Sequence, residues 1–216
     1  MNREYAIIFD LDGTLLDTLG DLTDSVNFAM AQFGYPQHSE AFVRSVVGNG
    51  ARNLIKGTVP QGTEEEKIDE VLSVYRSYYQ THSQVKTKPY EGVCAALQQL
   101  QQKYSVAIVS NKPDADVKAL AQVHFPGVYA LGEKSDLPRK PAPDMIIDTM
   151  KRLGSTKGIY VGDSEVDIIT ANNSGMPCIS VLWGFRDKDL LERYGGNCFC
   201  EDPNCLPEIV ETLFCE

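Results

Sequence analysis

From Tyr5 onward the chain alternates short β-rich runs with helical patterns, and this alternation leaves few folds open. Strands that alternate with helices build a parallel sheet covered by helices on both faces. The pattern predicts strands at Ala6–Phe9, Val106–Val109, Tyr129–Leu131, Ile159–Val161 and Ile179–Leu182, with helices at Gly92–Lys103, Asp114–Val123, Asp144–Leu153 and Val166–Ser174. The expected class is α/β, a Rossmann-like doubly wound parallel sheet. One interval, about Thr18 to His82, breaks the alternation and holds only helical patterns and turns. Its first helix carries Leu19, Leu22, Val26, Ala29, Met30 and Phe33 on one face. Its last opens with Thr63-Glu64-Glu65-Glu66, a capping-box sequence, and turns Ile68, Val71, Leu72, Tyr75 and Tyr79 inward. Between them Gly48 and Gly50 flank Asn49, a tight turn feeding a short helix. The expected division is residues 1–16 and 86–216 for the sheet domain and 17–85 for an inserted α-helical domain, with flexible linkers near Leu15–Thr18 and Gln84–Lys88.

Charge narrows the choice of partner. Lys plus Arg total 20 against 30 Asp plus Glu, a net charge of −10, which disfavours nucleic acid or an anionic membrane. A small anionic substrate would need positive charge concentrated locally. The apolar run near the start, Tyr5 to Phe9, is far shorter than a signal h-region or a membrane span, so a cytoplasmic protein is expected. The six cysteines form no regular framework and are expected as reduced thiols. The tail "CFCEDPNC" lacks the paired knuckles of structural zinc sites.

Ligands of open α/β sheets lie outside the carboxyl ends of the strands, and here the residues just after the strands are polar. Strand one runs into Asp10 and Asp12, strand two into Ser110-Asn111-Lys112, and the strand at Ile159 into Gly162-Asp163-Ser164, with Asp167 following; Lys140 stands in "RKPAPD". An aspartate on a rigid strand tip can attack phosphorus and form an acyl phosphate, splitting one hard displacement into two easier ones. Asp10 is the candidate. Residues two apart on extended chain point the same way, so Asp12 can serve as acid and base beside it. Four acids, Asp10, Asp12, Asp163 and Asp167, would repel a phosphate unless a cation joined them, and Mg²⁺ suits oxygen ligands shared between carboxylates and substrate. Lys140 adds a point charge, Ser110 a hydroxyl, and backbone N–H groups at a helix start near Asn111 an anion cradle. Thr14 could donate to a carboxylate or to the phosphoryl group.

These motifs resemble those of the haloacid dehalogenase superfamily, and within it the phosphatases related to phosphoglycolate phosphatase. "DLDGT" is similar to the family's first motif, which implies Asp10 as nucleophile and metal ligand and Asp12 as acid/base whose carbonyl also meets the metal. Ser110 in "VSNK" resembles the second motif, a phosphate donor, and Lys140 in "RKPAPD" the third. "VGDSEVD" resembles the fourth, implying Asp163 as a direct Mg²⁺ ligand and Asp167 as a ligand or its water-bridged support. The helical insertion resembles that family's small α-helical cap. "VVGNGARNLI" looks like a cap loop, which makes Asn49, Gly50 and Arg52 candidate substrate contacts, with Arg52 able to take a small carboxylate in a bidentate fork. Arg186 in "WGFR" follows the last core strand and faces the same side.

The resemblance implies a Mg²⁺-dependent hydrolase of a small phosphorylated metabolite, phosphoglycolate first. Alternatives on the same core are an inorganic pyrophosphatase, a sugar or nucleotide phosphatase, and a β-phosphoglucomutase-like enzyme. Dehalogenases of the superfamily lack the second acid of the first motif, and P-type ATPases carry Thr there; this chain has Asp12. A phospho-accepting receiver module also uses Asp, Ser or Thr, Lys and Mg²⁺. Receivers place the phosphorylated Asp after the third strand and carry no such insertion, so the order here argues against one.

Overall fold

A computed structural model of the chain describes residues 4–215. In chain order the elements are β1 (Tyr5–Phe9), β2 (Leu16–Asp17), α1 (Leu19–Gln32), α2 (Glu40–Val46), α3 (Gly50–Thr58), α4 (Glu65–His82), β3 (Lys88–Pro89), α5 (Val93–Lys103), β4 (Ser105–Pro113), α6 (Asp114–His124), β5 (Tyr129–Glu133), α7 (Asp144–Leu153), β6 (Lys157–Gly162), α8 (Glu165–Asn173), β7 (Cys178–Val181), α9 (Lys188–Arg193), β8 (Phe199–Cys200) and α10 (Leu206–Cys215). The main sheet has the order β5-β4-β1-β6-β7-β8 and its neighbouring strands run parallel. The chain divides into two compact units, residues 1–16 with 89–216, and residues 17–88. β2 and β3 form a separate two-stranded sheet.

In the first unit the strand alternation explains the apolar runs. Along β1, Ile7 and Phe9 join one buried layer with Val93, Ala96, Leu97 and Leu100 of α5. Ala6 and Ile8 join the opposite layer with Met145, Ile146 and Met150 of α7. A strand buried on both faces has no polar alternation, which is the sequence signature of the centre of a parallel sheet. β1 is that centre, with β4 on one side and β6 on the other.

Strand β4 departs from expectation. It continues beyond Val109 to Pro113, so Ser110, Asn111 and Lys112 lie within the strand, while α6 starts at Asp114 as expected. The register against β5 shifts between Val109 and Pro113, and the Asp114 carboxylate accepts the Gly132 N–H at 3.0 Å. A Cβ on Gly132 would lie 2.5 Å from the Asp114 Cα, so only glycine lets β5 pass this corner. The backbone N–H groups expected as an anion cradle near Asn111 thus belong to a bulged strand and not to the first turn of α6.

The second unit is helical, with α1 against α4 and α2, and α3 against α4. The apolar stripes of α1 and α4 supply buried Leu22, Val26, Ala29, Met30, Ile68, Val71, Leu72, Tyr75 and Tyr79. The expected capping box at Thr63 does not form. The Thr63 hydroxyl donates to the Pro60 carbonyl at 2.7 Å, closing the preceding turn, and α4 begins one residue later with Glu64 at its N-cap. Within the linker expected to flex near Gln84–Lys88, the buried Asp21 of α1 accepts backbone N–H groups from Val85, Lys86 and Thr87 at 2.9–3.1 Å. That carboxylate ties three consecutive amides to α1. Helix α10 and strand β8 were not expected. Pro207 sits in the first turn of α10, where a missing N–H costs nothing. All six cysteines are free thiols, and no helix among the described residues is long and apolar enough to cross a membrane.

Candidate active site

The carboxyl ends of β1, β4, β6 and β7 gather the polar residues of the first unit. Asp10, on the face of β1 shared with Ala6 and Ile8, follows the strand directly and donates its backbone N–H to the Val161 carbonyl of β6 at 2.9 Å. Lys140, only 2% exposed, lies against it. Its ammonium sits 2.8 Å from Asp10 Oδ1, 2.8 Å from Asp167 Oδ1 and 2.8 Å from the Tyr160 hydroxyl. Asn111 donates its side-chain N–H to the Lys140 carbonyl at 2.9 Å, so it anchors the segment that carries the lysine.

Asp167 is fully engaged by protein donors. Oδ1 takes Lys140 and the Tyr160 O–H at 3.1 Å. Oδ2 takes the Ser164 hydroxyl at 2.6 Å, the Ser164 N–H at 3.0 Å and the Asp163 N–H at 3.2 Å. Ser164 and Asp167 thus form the capping box that opens α8. A carboxylate offers about four lone-pair sites, so these donors leave Asp167 suited to support rather than to direct ligation.

Asp163 is oriented by the loop after β7. The Phe185 N–H donates to its Oδ2 at 2.7 Å, and the Thr14 hydroxyl to its Oδ1 at 3.2 Å. Thr14 therefore spends its proton on a carboxylate. The Trp183 indole N–H donates to the Thr14 carbonyl at 3.0 Å, tying the loop to the segment after β1. A Cβ on Gly184 would lie 2.3 Å from the Asp163 Cβ and 2.5 Å from the Gly13 carbonyl oxygen, so nothing larger than glycine fits between them. Arg186, 8% exposed, donates to Glu165 at 2.9 Å.

Among the described residues one group could hold a metal ion: Asp10, Asp163 and Asp167, whose ligand atoms lie within 4.8 Å of one another. Burial raises the Asp10 carboxyl to about 7, Lys140 opposes that rise, and Asp167 and Asp12 add to it. Burial, then Asp167 and Asp10, hold Asp163 well above the usual carboxylate range, against the Phe185 N–H. Burial draws the Lys140 ammonium down, but Asp10, Asp167 and Tyr160 outweigh it and hold it well above its ordinary value. Clustered buried carboxyls that keep protons without a cation will exchange them for one, which fits a hard divalent ion.

Asp12 stands apart from that group. Both its oxygens lie on the Lys112 ammonium, at 2.9 and 3.0 Å. Ser110, 3% exposed, accepts the Lys112 N–H on its hydroxyl at 3.2 Å. The net charge of −10 hides a local concentration of cations, since Lys112, Lys140 and Arg186 are all buried at the carboxyl end of the sheet. The sequence assigned no role to Lys112 or Tyr160, whereas the "WGFR" loop, expected on this side, supplies the Phe185 N–H to Asp163. The spacing of Lys112 from Ser110 was the available signal for the first; a tyrosine in an aliphatic strand was that for the second.

Three further candidates lie in the helical unit. Asn49 is the N-cap of α3 and accepts the Asn53 side-chain N–H on its carbonyl at 3.0 Å, and Gly50 opens the helix. Arg52 donates to Asp69 at 2.8 Å and to Glu65 at 2.7 Å, both on α4. To take a substrate carboxylate it would exchange those exposed partners, whose hold is weak in water.

Comparison with known proteins follows the same lines. A sequence model of the haloacid dehalogenase-like hydrolases matches residues 7–181. A phosphoglycolate phosphatase of Rhodobacter capsulatus is 34% identical, covering 95% of this chain and 96% of that one. One from Mesorhizobium japonicum is 32% identical, covering 86% of each. A crystal structure from Lactobacillus delbrueckii subsp. bulgaricus, provisionally named a phosphoglycolate phosphatase, superposes with a TM-score of 0.90 at 36% identity, over 97% of this chain and 99% of the other.

Proposed function

The chain belongs to the haloacid dehalogenase-like hydrolases, and from that premise we propose that it is a Mg²⁺-dependent phosphatase that acts through an aspartyl-phosphate on Asp10, with phosphoglycolate as its substrate. The observation that carries the reading is the unequal setting of two neighbouring acids. Asp10 lies in the carboxylate cluster on Lys140, and Asp12 lies outside it on Lys112. Two acids with different duties need different surroundings.

Asp10 attacks phosphorus from a rigid strand tip, with Lys140 holding its Oδ1. Asp12 supplies the proton that the leaving oxygen needs, then draws one from water. Ser110 and Lys140 receive the phosphoryl oxygens. Asp10, Asp163 and the Asp12 carbonyl would hold Mg²⁺, with Asp167 behind them, and when bound the ion would neutralise charge on the phosphoryl group. Asn49, Gly50 and Arg52 select the leaving group, Arg52 through the substrate carboxylate.

The test is phosphate release from phosphoglycolate, pyrophosphate, hexose phosphates and nucleotides, with Mg²⁺ or EDTA, for the wild type, Asp10→Asn and Arg52→Ala. The expected result is Mg²⁺-dependent release favouring phosphoglycolate, a loss of roughly 10³-fold or more in Asp10→Asn, and a loss in Arg52→Ala confined to carboxylate-bearing substrates. Preference for another phosphate would overturn the substrate, and residual Asp10→Asn activity within tenfold of wild type the covalent route.

A further inference from the structure

Lys112 has no part in the reaction as just described, yet it holds the group on which both half-reactions depend. Its ammonium lies 2.9 and 3.0 Å from the two oxygens of Asp12, and the two side chains are only 5% and 17% exposed. The contact is built into the sheet. β4 and β1 are parallel neighbours, with Phe9 opposite Ile108. Ser110 and Lys112 both lie in the bulged end of β4, two residues apart, beside the segment in which Asp10 and Asp12 follow β1. The Lys112 N–H on Ser110 Oγ fixes the spacing of that pair.

We propose that Lys112 is a positioning residue for Asp12: it aims the acid/base carboxyl at the leaving oxygen, and so sets how well this chain handles phosphate esters whose leaving group must be protonated. The proposal rests on the phosphatase reading above. In the first half-reaction an Asp10 oxygen bonds to phosphorus, the bond from phosphorus to the leaving oxygen breaks, and the proton on Asp12 passes to that oxygen. In the second, Asp12 takes a proton from water as the water oxygen bonds to phosphorus and the Asp10–phosphorus bond breaks. Asp12 thus recovers from water the proton that it gave to the leaving oxygen. A carboxyl gripped on both oxygens presents neither elsewhere. Passing from two contacts to one, it keeps one oxygen on Lys112 and turns the other toward the substrate. A lone flexible Asp12 would have many orientations to lose at each turnover.

Leaving-group dependence separates this role from simple charge neutralisation. An alkoxide needs the Asp12 proton to depart, whereas 4-nitrophenolate leaves as a stable anion. The experiment compares kcat/KM for phosphoglycolate and p-nitrophenyl phosphate, with Mg²⁺, in the wild type, Lys112→Met, Lys112→Arg, Asp12→Asn and the Asp12→Asn/Lys112→Met double variant. Lys112→Met should lose on the order of 10²-fold on phosphoglycolate, and at least tenfold less than that on p-nitrophenyl phosphate. Lys112→Arg should restore most of the difference. In the Asp12→Asn background Lys112→Met should add little, because the group it aims is gone. Equal losses on both substrates, or full additivity with Asp12→Asn, would overturn the positioning role while leaving the phosphatase reading intact. Should Lys112→Met fail to fold, Lys112→Gln replaces it and is judged by the same ratio. A wild type inactive on both esters would overturn the phosphatase reading itself, and this proposal with it.

Discussion

Replacing Lys140 by methionine keeps the length of the side chain and removes its charge from a place where little else can supply one. The lysine is 2% exposed, and its ammonium lies at 2.8 Å from each of Asp10, Asp167 and Tyr160. Without it, two buried carboxyls face each other with Asp163 in the same cluster. Removing one partner of a buried ion pair costs about 3–5 kcal/mol. For a chain of this size each kcal/mol lowers Tm by about 2–4 °C, so a fall of roughly 6–20 °C is expected in EDTA at about pH 8. The sign of the pH dependence follows from Asp10. Its folded value of about 7 is already above the 3.8 of an unperturbed carboxyl. The folded state therefore binds the proton more tightly, and stability falls as pH rises through that window. Loss of Lys140 raises the folded value further, so the penalty should be largest near pH 8 and shrink near pH 5, where the carboxyls take up protons instead. Thermal unfolding followed by circular dichroism in EDTA at the two pH values measures it. A penalty below about 1 kcal/mol, or one that is the same at both pH values, would refute the view that Lys140 holds this cluster together.

Two more outcomes follow from the cluster. In the wild type, Mg²⁺ must displace protons that burial keeps on Asp10 and Asp163, so the rise in Tm on adding it should be greater near pH 8 than near pH 5; a rise independent of pH would contradict this. Gly184→Ala would force a Cβ to within 2.3 Å of the Asp163 Cβ and 2.5 Å of the Gly13 carbonyl oxygen; displacing Asp163 should raise the Mg²⁺ concentration needed for half-maximal activity by about tenfold or more, and an unchanged requirement in titrations of Mg²⁺ would show that the loop does not set this ligand.

The sequence carried the architecture because a strand buried on both faces leaves a plain mark. The run Ala6 to Phe9 is apolar at every position, and only the centre of a covered sheet asks for that. The end of β4 was harder. Ser110, Asn111 and Lys112 are polar and precede a proline, which looks like a loop, yet they are nearly buried in an extended strand whose register slips against β5. Helix α10 was obscured by a proline and two flanking cysteines, although its Leu206 and Val210 reach the same core layer as β1. The acids of the site were visible as residues that follow strands. Their partners were not, because Asp12 and Lys112 lie 100 residues apart and meet only through the pairing of β1 with β4.

That pairing also explains how one short segment can carry two acids with different duties. Asp10 and Asp12 are two residues apart, so local sequence alone would place them in similar surroundings. The difference comes from the strands on either side of β1. The β6 side brings Asp163, Asp167 and Tyr160, with Lys140 reaching in, and Asp10 joins a cluster able to hold a metal. The β4 side brings Lys112, and Asp12 is drawn out of that cluster onto a single cation. An interior strand such as β1 offers that choice, whereas an edge strand has a neighbour on one side only. The strand order β4-β1-β6 therefore gives the two carboxyls the unequal settings that the proposed nucleophile and acid would need.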